Sequence, residues 1–461
     1  MRTLVWTVAG IGLVAGIRAG GVAPPARVAF AHVTLIDGTD RPPRADVTVM
    51  VTNGRIESIR PGAAPIKRGT RIIDGHGRFL IPGLWDMHAH VVYVGEPALP
   101  LYVAWGVTTI RDLGGSIDSL RAYRAHLATA AIPAPRVLAS RTAFERAAWL
   151  TRVLAINIPG FEFPDPGWVR FPHLGISSAA EGRRGVDSLA DLGVDWIKIR
   201  TVSDREQFLA IIAEATKRGL PVASHLPSDT TLVEAAADAG IRSFEHFGWA
   251  DLLAHRDSAG RARFYEILRR NRTWIDPTIV SGLVPYLADS IIAAVVADSD
   301  GRAVEANRYT TARLRTSFRK DEAIRKFGRP EGTADPDLTI LAEMHRAGIG
   351  MLAGTDLGAL MVYPGMSLHD ELALLVEKVG LTPLEALQAA TRNAALASSA
   401  LDSLGTLEPG KVADAVLLAA DPLVAITNSR RIEGVMVRGE YLDAPTRTRV
   451  LDAVRRRRDY R

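Results

Sequence analysis

The sequence predicts an α/β protein, a (β/α)8 TIM-like barrel with a small composite β-sandwich domain formed from both chain ends. Three observations predict it. Eight short apolar runs alternate with helical stretches across residues 82–400. Further β-like runs, broken by turn signals, lie before and after that segment. Several of the central runs also end on a histidine, a lysine or an aspartate, as expected where strand C-termini converge on one rim.

The chain opens with Arg2 and an almost continuous apolar run from Leu4 to Ala15. Small residues follow at Ala19, Gly20, Gly21 and Ala23, and then Pro24-Pro25. This pattern predicts a signal peptide over residues 1–23 and export to the periplasm or beyond. The run is shorter than the ~20 residues of a membrane span. The mature chain is therefore expected to have no stable span, with an uncleaved N-terminal anchor as the alternative.

Residues 28–81 carry β-like runs at Val33–Ile36, Val47–Val51, Ile56–Ile59 and Arg71–Ile73. Asp37-Gly38, Asn53-Gly54, Pro61-Gly62 and Asp74-Gly75 separate or bound them. These strands are too few to enclose a core alone. Residues 405–450 supply matching runs, Ala415–Leu418 and Gly434–Val437, with turns at Pro409-Gly410 and Arg438-Gly439. One small β-domain built from 28–81 and 405–450 accounts for both ends.

Within 82–400 the expected strands are Leu84–His90, Val107–Arg111, Arg136–Ala139, Val194–Ile199, Pro221–His225, Ser243–His246, Thr273–Asp276 and Gly350–Asp356. Helix starts stand between several of them, as at Ser203-Asp204-Arg205-Glu206. Beyond the eighth run, Thr382-Pro383-Leu384-Glu385 opens another helix with an N-cap, a proline and a glutamate in order. Residues 285–348 read as a charged, mostly helical insertion over the barrel mouth or on its flank.

Composition removes several chemistries. With no cysteine, the chain has no disulfide, no thiolate ligand and no cysteine nucleophile, so any metal is held by nitrogen and oxygen. The net charge of +5 owes much to Arg455-Arg456-Arg457-Arg458, read as a solvated terminal tail rather than a nucleic-acid patch.

His88-Ala-His90 is the strongest chemical signal. Residues two apart on a strand share a face, so two imidazoles stand side by side at a strand end. Neutral imidazole suits zinc and similar ions. Lys198, His225, His246 and Asp356 join them at the ends of the fourth, fifth, sixth and eighth runs. Singly, each has a structural reading: His225 as a core histidine, Asp356 as a helix cap, Lys198 as a side chain reaching from an edge strand. A parallel barrel has no edge, and an unpaired inward lysine is costly. Together the six point to a metal site. An ammonium beside two divalent cations is repelled by both, whereas Lys198 carboxylated by carbon dioxide is an anion able to bridge them. The expected site is binuclear, with His88 and His90 on one ion, His225 and His246 on the other, N6-carboxylated Lys198 between them, and Asp356 binding the first ion and serving as catalytic acid–base.

The chain resembles the metal-dependent amidohydrolase superfamily, in its imidazolonepropionase-like and prolidase-like branch. The residues carrying the resemblance are Pro82–His90, Gly106–Asp112, Trp196–Ile199, Ser224–Pro227, Ser243–His246 and Ala353–Asp356, with Leu381–Leu387, Ala389–Asn393 and Gly405–Asp414 in the tail. The resemblance spans Val28 to Gly439. It implies a barrel with a composite β-sandwich and a binuclear, usually zinc, site bridged by a carboxylated lysine. All six ligand positions are present. Phe247-Gly248 after His246 departs from the family, in which glycine commonly follows the histidine directly. Met361–His369 resembles the loop after the catalytic aspartate, with a structural hydrogen bond expected for His369.

The expected function is an exported hydrolase of an amide C–N bond in a small molecule, such as a dipeptide or N-acyl amino acid. A cyclic-amide or lactone hydrolase or a deaminase on the same site is the alternative, and a non-catalytic metal-binding protein is a third class. Arg111, Arg200 and Tyr363 are candidates to hold a substrate carboxylate, each with an equally good structural reading.

Overall fold

A computed structural model describes residues 27–154, 173–298, 300–310, 314, 315, 318 and 336–457. The leader over 1–23 and part of the 285–348 insertion lie outside the described residues. No single helix among the described residues is long and apolar enough to cross a membrane.

The first five strands are β1 (Arg27–Leu35), β2 (Arg44–Thr52), β3 (Arg55–Pro61), β4 (Arg71–Asp74) and β5 (Phe79–Pro82). The next nine are β6 (Leu84–Ala89), β7 (Val107–Asp112), β8 (Arg136–Ala139), β9 (Ala143–Arg146), β10 (Leu174–Ile176), β11 (Ile197–Ile199), β12 (Val222–His225), β13 (Ser243–Glu245) and β14 (Trp274–Asp276). The last three are β15 (Ala415–Leu418), β16 (Ile432–Val437) and β17 (Glu440–Asp443).

Strands from both chain ends form one eight-stranded sheet, ordered β17-β16-β15-β5-β1-β2-β3 with β4 also on β1. Strand β5 is the seam, antiparallel to β15 at Ile81↔Val416 and parallel to β1 at Leu35↔Leu80. Period-two alternation sorts its side chains. Leu80, Ala415, Leu417 and Met436 pack into a small core with Val28, Phe30 and Val49, while Ile81, Val416, Leu418, Val435 and Val437 face the main core. Two hairpin turns meet beside this sheet. Asn53-Gly54 and Arg438-Gly439 have positive φ at all four residues, as a two-residue primed turn requires. A Cβ on Gly439 would come 2.3 Å from the Gly54 Cα, so both positions exclude side chains.

The central strands are all parallel and fall into two sheets, β6-β7-β8 and β10-β9-β11-β12-β13-β14. Asp195 N donates to Ala139 O (2.8 Å), tying the approach to β11 onto the end of β8. Segment 350–357 is hydrogen-bonded to β14 on one side, through Leu352 N to Ile275 O (2.8 Å). On the other side it meets β6, through Met87 N to Ala353 O (3.0 Å) and Asp356 N to His88 O (2.8 Å).

Four expectations need correction. Gly350–Asp356 is not a continuous strand; it makes an isolated bridge, Ile275↔Met351, because Asp356 turns into the left-handed region at φ 57° and breaks the ladder. The fourth strand begins at Ile197, not Val194, since Asp195 uses its side chain to accept from Ala139 N. Strands β9 and β10 are additional. The arginine run is solvated as expected where it is described, with Arg455 and Arg456 exposed, but it ends the helix Ala444–Arg457 and is not an irregular tail there. The helix starts hold. Asp204 caps Arg205–Lys217 by accepting from Gln207 N, and Thr382 and Glu385 form a reciprocal capping box on Pro383–Ala389. In the insertion, helices Asp289–Ala297 and Thr339–Arg346 are described.

Candidate metal centre

Strand ends bring the six predicted residues together. His88 lies on β6 and His90 just beyond it. Lys198 is the middle residue of β11, His225 ends β12, His246 follows β13, and Asp356 leaves segment 350–357 beside β6. Two positions earlier on the same faces, Trp196 and Ala223 belong to one apolar cluster with Trp85, Met87 and Leu352, which floors the site.

Three of the four imidazoles are held by Nδ1. His88 Nδ1 donates to Glu245 Oε2 (2.9 Å), His90 Nδ1 to Gly114 O (3.3 Å), and His246 Nδ1 is bonded to Thr278 Oγ1 (2.8 Å). A ring fixed through Nδ1 presents Nε2 as an acceptor, the arrangement of metal-bound histidine. The Nε2 atoms of His225 and His246 face each other at 3.3 Å. Asp356 Oδ1 lies 3.5 Å from His88 Nε2 and 3.3 Å from His90 Nε2. Zinc bonds of about 2.0–2.1 Å at tetrahedral angles separate ligand atoms by about 3.3–3.4 Å. The observed spacings match that edge length, and His88, His90 and Asp356 form a group able to hold one ion.

The electrostatics favour ligands in their binding forms. Burial, then the Lys198 charge, lowers the pKa of His88 and His225 well below the ordinary imidazole value, and burial also lowers that of His246. Burial opposes ionisation of Asp356, but the facing His88, His90 and His246 outweigh it, and the carboxylate is held far below its usual range. Lys198 Nζ is buried without a hydrogen-bond partner among the described residues, and burial lowers its pKa to about 8. Uncompensated, such a buried nitrogen is a liability; as a carbamate reaching a cation it is satisfied. The donor set therefore fits a metal centre.

His246 (φ 70°), Thr278 (φ 47°) and Asp356 (φ 57°) are all left-handed non-glycine residues. Strain of this kind gathers where the surroundings force an orientation. Gly354 allows the close approach: a Cβ there would meet Asp276 Oδ2 at 2.5 Å and His88 Cβ at 2.7 Å.

A second set of buried groups, of which the sequence reading named only Arg111 and as a substrate contact, supports the first. Arg111 is fully buried. It donates to Ser243 Oγ (2.9 Å), to both Glu245 oxygens (3.0 and 2.8 Å), to Asp276 Oδ2 (3.0 Å) and to Met87 O, and it stacks on Trp196 at 4.5 Å. Burial opposes ionisation of Glu245, yet Arg111 and Lys198 keep it charged, whereas burial and Glu245 push Asp276 well above the carboxylate range. His88, Glu245 and Asp276 also cluster, but the guanidinium already supplies their cation. Asp86 joins the two halves of the site. It accepts from His88 N (3.2 Å), Thr355 N (3.0 Å), Thr355 Oγ1 (2.6 Å) and Tyr102 OH (3.0 Å). The signal for these residues is in the sequence: carboxylates beside or inside apolar strands must find partners.

Arg111 is thus a support below the imidazoles, not a substrate contact. Arg111→Met strips the cation from the buried Glu245 carboxylate and a hydrogen bond from Asp276, and is expected to destabilise the protein by about 3–5 kcal/mol. Chemical denaturation measures this, and an unchanged midpoint contradicts it. Tyr363 donates its hydroxyl to Asn307 Oδ1 (2.8 Å). His369 is structural as expected, bonded to Ser429 Oγ (2.9 Å) and Trp105 O (3.0 Å).

Comparison with known proteins agrees with this geometry. Residues 79–442 match the amidohydrolase family. An ochratoxinase from Aspergillus niger is 25% identical over 447 residues, covering 86% of this chain and 82% of the relative. An imidazolonepropionase from Haloarcula marismortui is 22% identical over 431 residues, covering 87% and 91%. Among solved structures, a Xaa-Pro dipeptidase with bound methionine in the active site superimposes with a TM-score of 0.66 at 19% identity, covering 91% of this chain and all of that one (100%). That likeness shows a shared fold. The chain belongs to the amidohydrolase family and is a hydrolase acting on carbon–nitrogen bonds.

Proposed function

We propose that this protein is an exported, binuclear-metal amidohydrolase that cleaves the amide bond of a small acyl amino acid or dipeptide. Its barrel would span 82–400 and close through segment 350–357. A composite sandwich of 28–81 and 405–450 would flank it, and the 1–23 leader would direct export. One observation carries the reading. Four imidazoles and a carboxylate converge with ligand-atom spacings of 3.3–3.5 Å beside a buried, unpartnered lysine nitrogen.

His88, His90 and Asp356 would hold one cation, and His225 and His246 the other, most suitably zinc. When bound, such a pair supplies an activated water and polarises the scissile carbonyl. Neutral Lys198 Nζ adds to carbon dioxide, forming a nitrogen–carbon bond and releasing one proton to solvent; the resulting carbamate would reach both ions. Asp356 takes the proton of the attacking water and hands it to the leaving nitrogen. Glu245 fixes the His88 ring, and Asp86 keeps His88 and Thr355 in register.

A screen of zinc-loaded protein against dipeptides, N-acyl amino acids, lactones and cyclic ureides tests the substrate class. Cleavage of the linear amides at the highest kcat/KM is expected. Turnover confined to lactones or cyclic ureides would replace this reading with the cyclic one, which the imidazolonepropionase relatives favour.

A further inference from the structure

Arg200 lies just beyond β11, two positions after Lys198, and its backbone N donates to Phe144 O (3.0 Å) of β9. Its Nε donates to Glu145 Oε1, and its guanidinium lies 4.6 Å over the Trp149 ring. These contacts orient the planar group without using its Nη nitrogens. Nη2 is buried and has no hydrogen-bond partner among the described residues, while 25% of the side chain remains exposed. Glu145 also engages His173 (3.1 Å) and the Thr201 hydroxyl, so its negative charge is shared among three neighbours. The Arg200 charge is felt at His225 and at the Tyr93 hydroxyl, and the Tyr93 ring stands 5.3 Å from His90. Ile199 pairs with Ser224 in the parallel ladder, so the next residue along, Arg200, stands beside His225 in the imidazole cluster.

We infer that Arg200 is a specificity-determining residue, receiving the free carboxylate of the substrate's amino-acid half on its guanidinium. This rests on the hydrolase reading above and narrows its substrate to anionic amides. A guanidinium presents parallel N–H groups that match a carboxylate, and one already steadied by a carboxylate and an indole loses little freedom on binding. In an N-acyl amino acid the amide nitrogen is two bonds from the carboxylate carbon. A carboxylate held beside His225 thus brings the amide to the cluster. The other candidates are engaged: Arg111 lies under the imidazoles, and the Tyr363 hydroxyl is committed to Asn307.

The test compares N-acetyl-L-amino acids with their primary amides, using metal-loaded wild type, Arg200→Gln and Arg200→Lys. The same acids are titrated into each protein by calorimetry. The wild type is expected to prefer acids at least tenfold in kcat/KM. Arg200→Gln is expected to lose at least 30-fold more on the acid than on the amide, chiefly through KM, with acid binding weakened in parallel. Arg200→Lys, keeping the charge without the fork, falls between, and it decides the matter if the glutamine variant does not fold. Equal losses on acid and amide, or unchanged acid binding, overturn the proposal and leave Arg200 as a support for Glu145. If the wild type cleaves neither compound, the amide reading fails separately. The titration then still decides the carboxylate site: weaker acid binding in the variants supports it, and equal binding overturns it.

Discussion

Lys198→Ala is expected to lower kcat/KM by about 10³-fold or more, roughly 4 kcal/mol of transition-state stabilisation. Bicarbonate together with a short carboxylic acid is expected to restore part of it. The lysine nitrogen makes no hydrogen bond among the described residues, so its removal costs the fold little beyond methylene packing. Its partners on the adjacent strands are Ala143 and Ala223, both with small side chains. Burial lowers the amine to about pKa 8, so neutral nitrogen able to add carbon dioxide is present near neutral pH and increases as pH rises toward that value. Steady-state kinetics with and without added acid checks this. Full activity in the alanine variant would remove the carbamate from the account.

Asp356→Asn is expected to retain metal yet lose about 10³-fold in kcat, within the range that a positioned acid–base contributes. Asparagine keeps the shape and one oxygen donor near His88 and His90 but cannot accept and return a proton. The native carboxylate lies 3.3 Å from His90 Nε2 and is held ionised by the imidazoles around it, so it is ready to accept a proton. Metal analysis beside turnover separates the two roles. A variant at full rate would require another base, and a metal-free variant would make Asp356 chiefly a ligand.

Much of the site is legible in the sequence because strand alternation and strand ends are local. His88 and His90 share a face by spacing alone, and Lys198, His225 and His246 stand within a residue of a strand end. The composite sheet was legible in part for the same reason: β2, β3, β15 and β16 read as short β-like runs on either side of the central segment, whereas the seam strand β5 was not among them. What was not legible depends on distant partners. The left-handed turns at His246 and Asp356 are imposed by packing, so the last run looked like a strand when its ladder is broken. Arg111 read equally as a substrate contact, because its partners Glu245 and Asp276 lie 134 and 165 positions away. Strands β9 and β10 are short, and the Glu145–Arg200 pair that β9 creates spans 55 positions.

Anomalous diffraction at the zinc edge, from crystals of zinc-loaded protein, tests the central claim most directly. The account predicts two peaks, one among His88, His90 and Asp356 and the other between His225 and His246, with density extending from Lys198 Nζ to both. No peak among these six side chains, or an unmodified Lys198 beside a single ion, would contradict it.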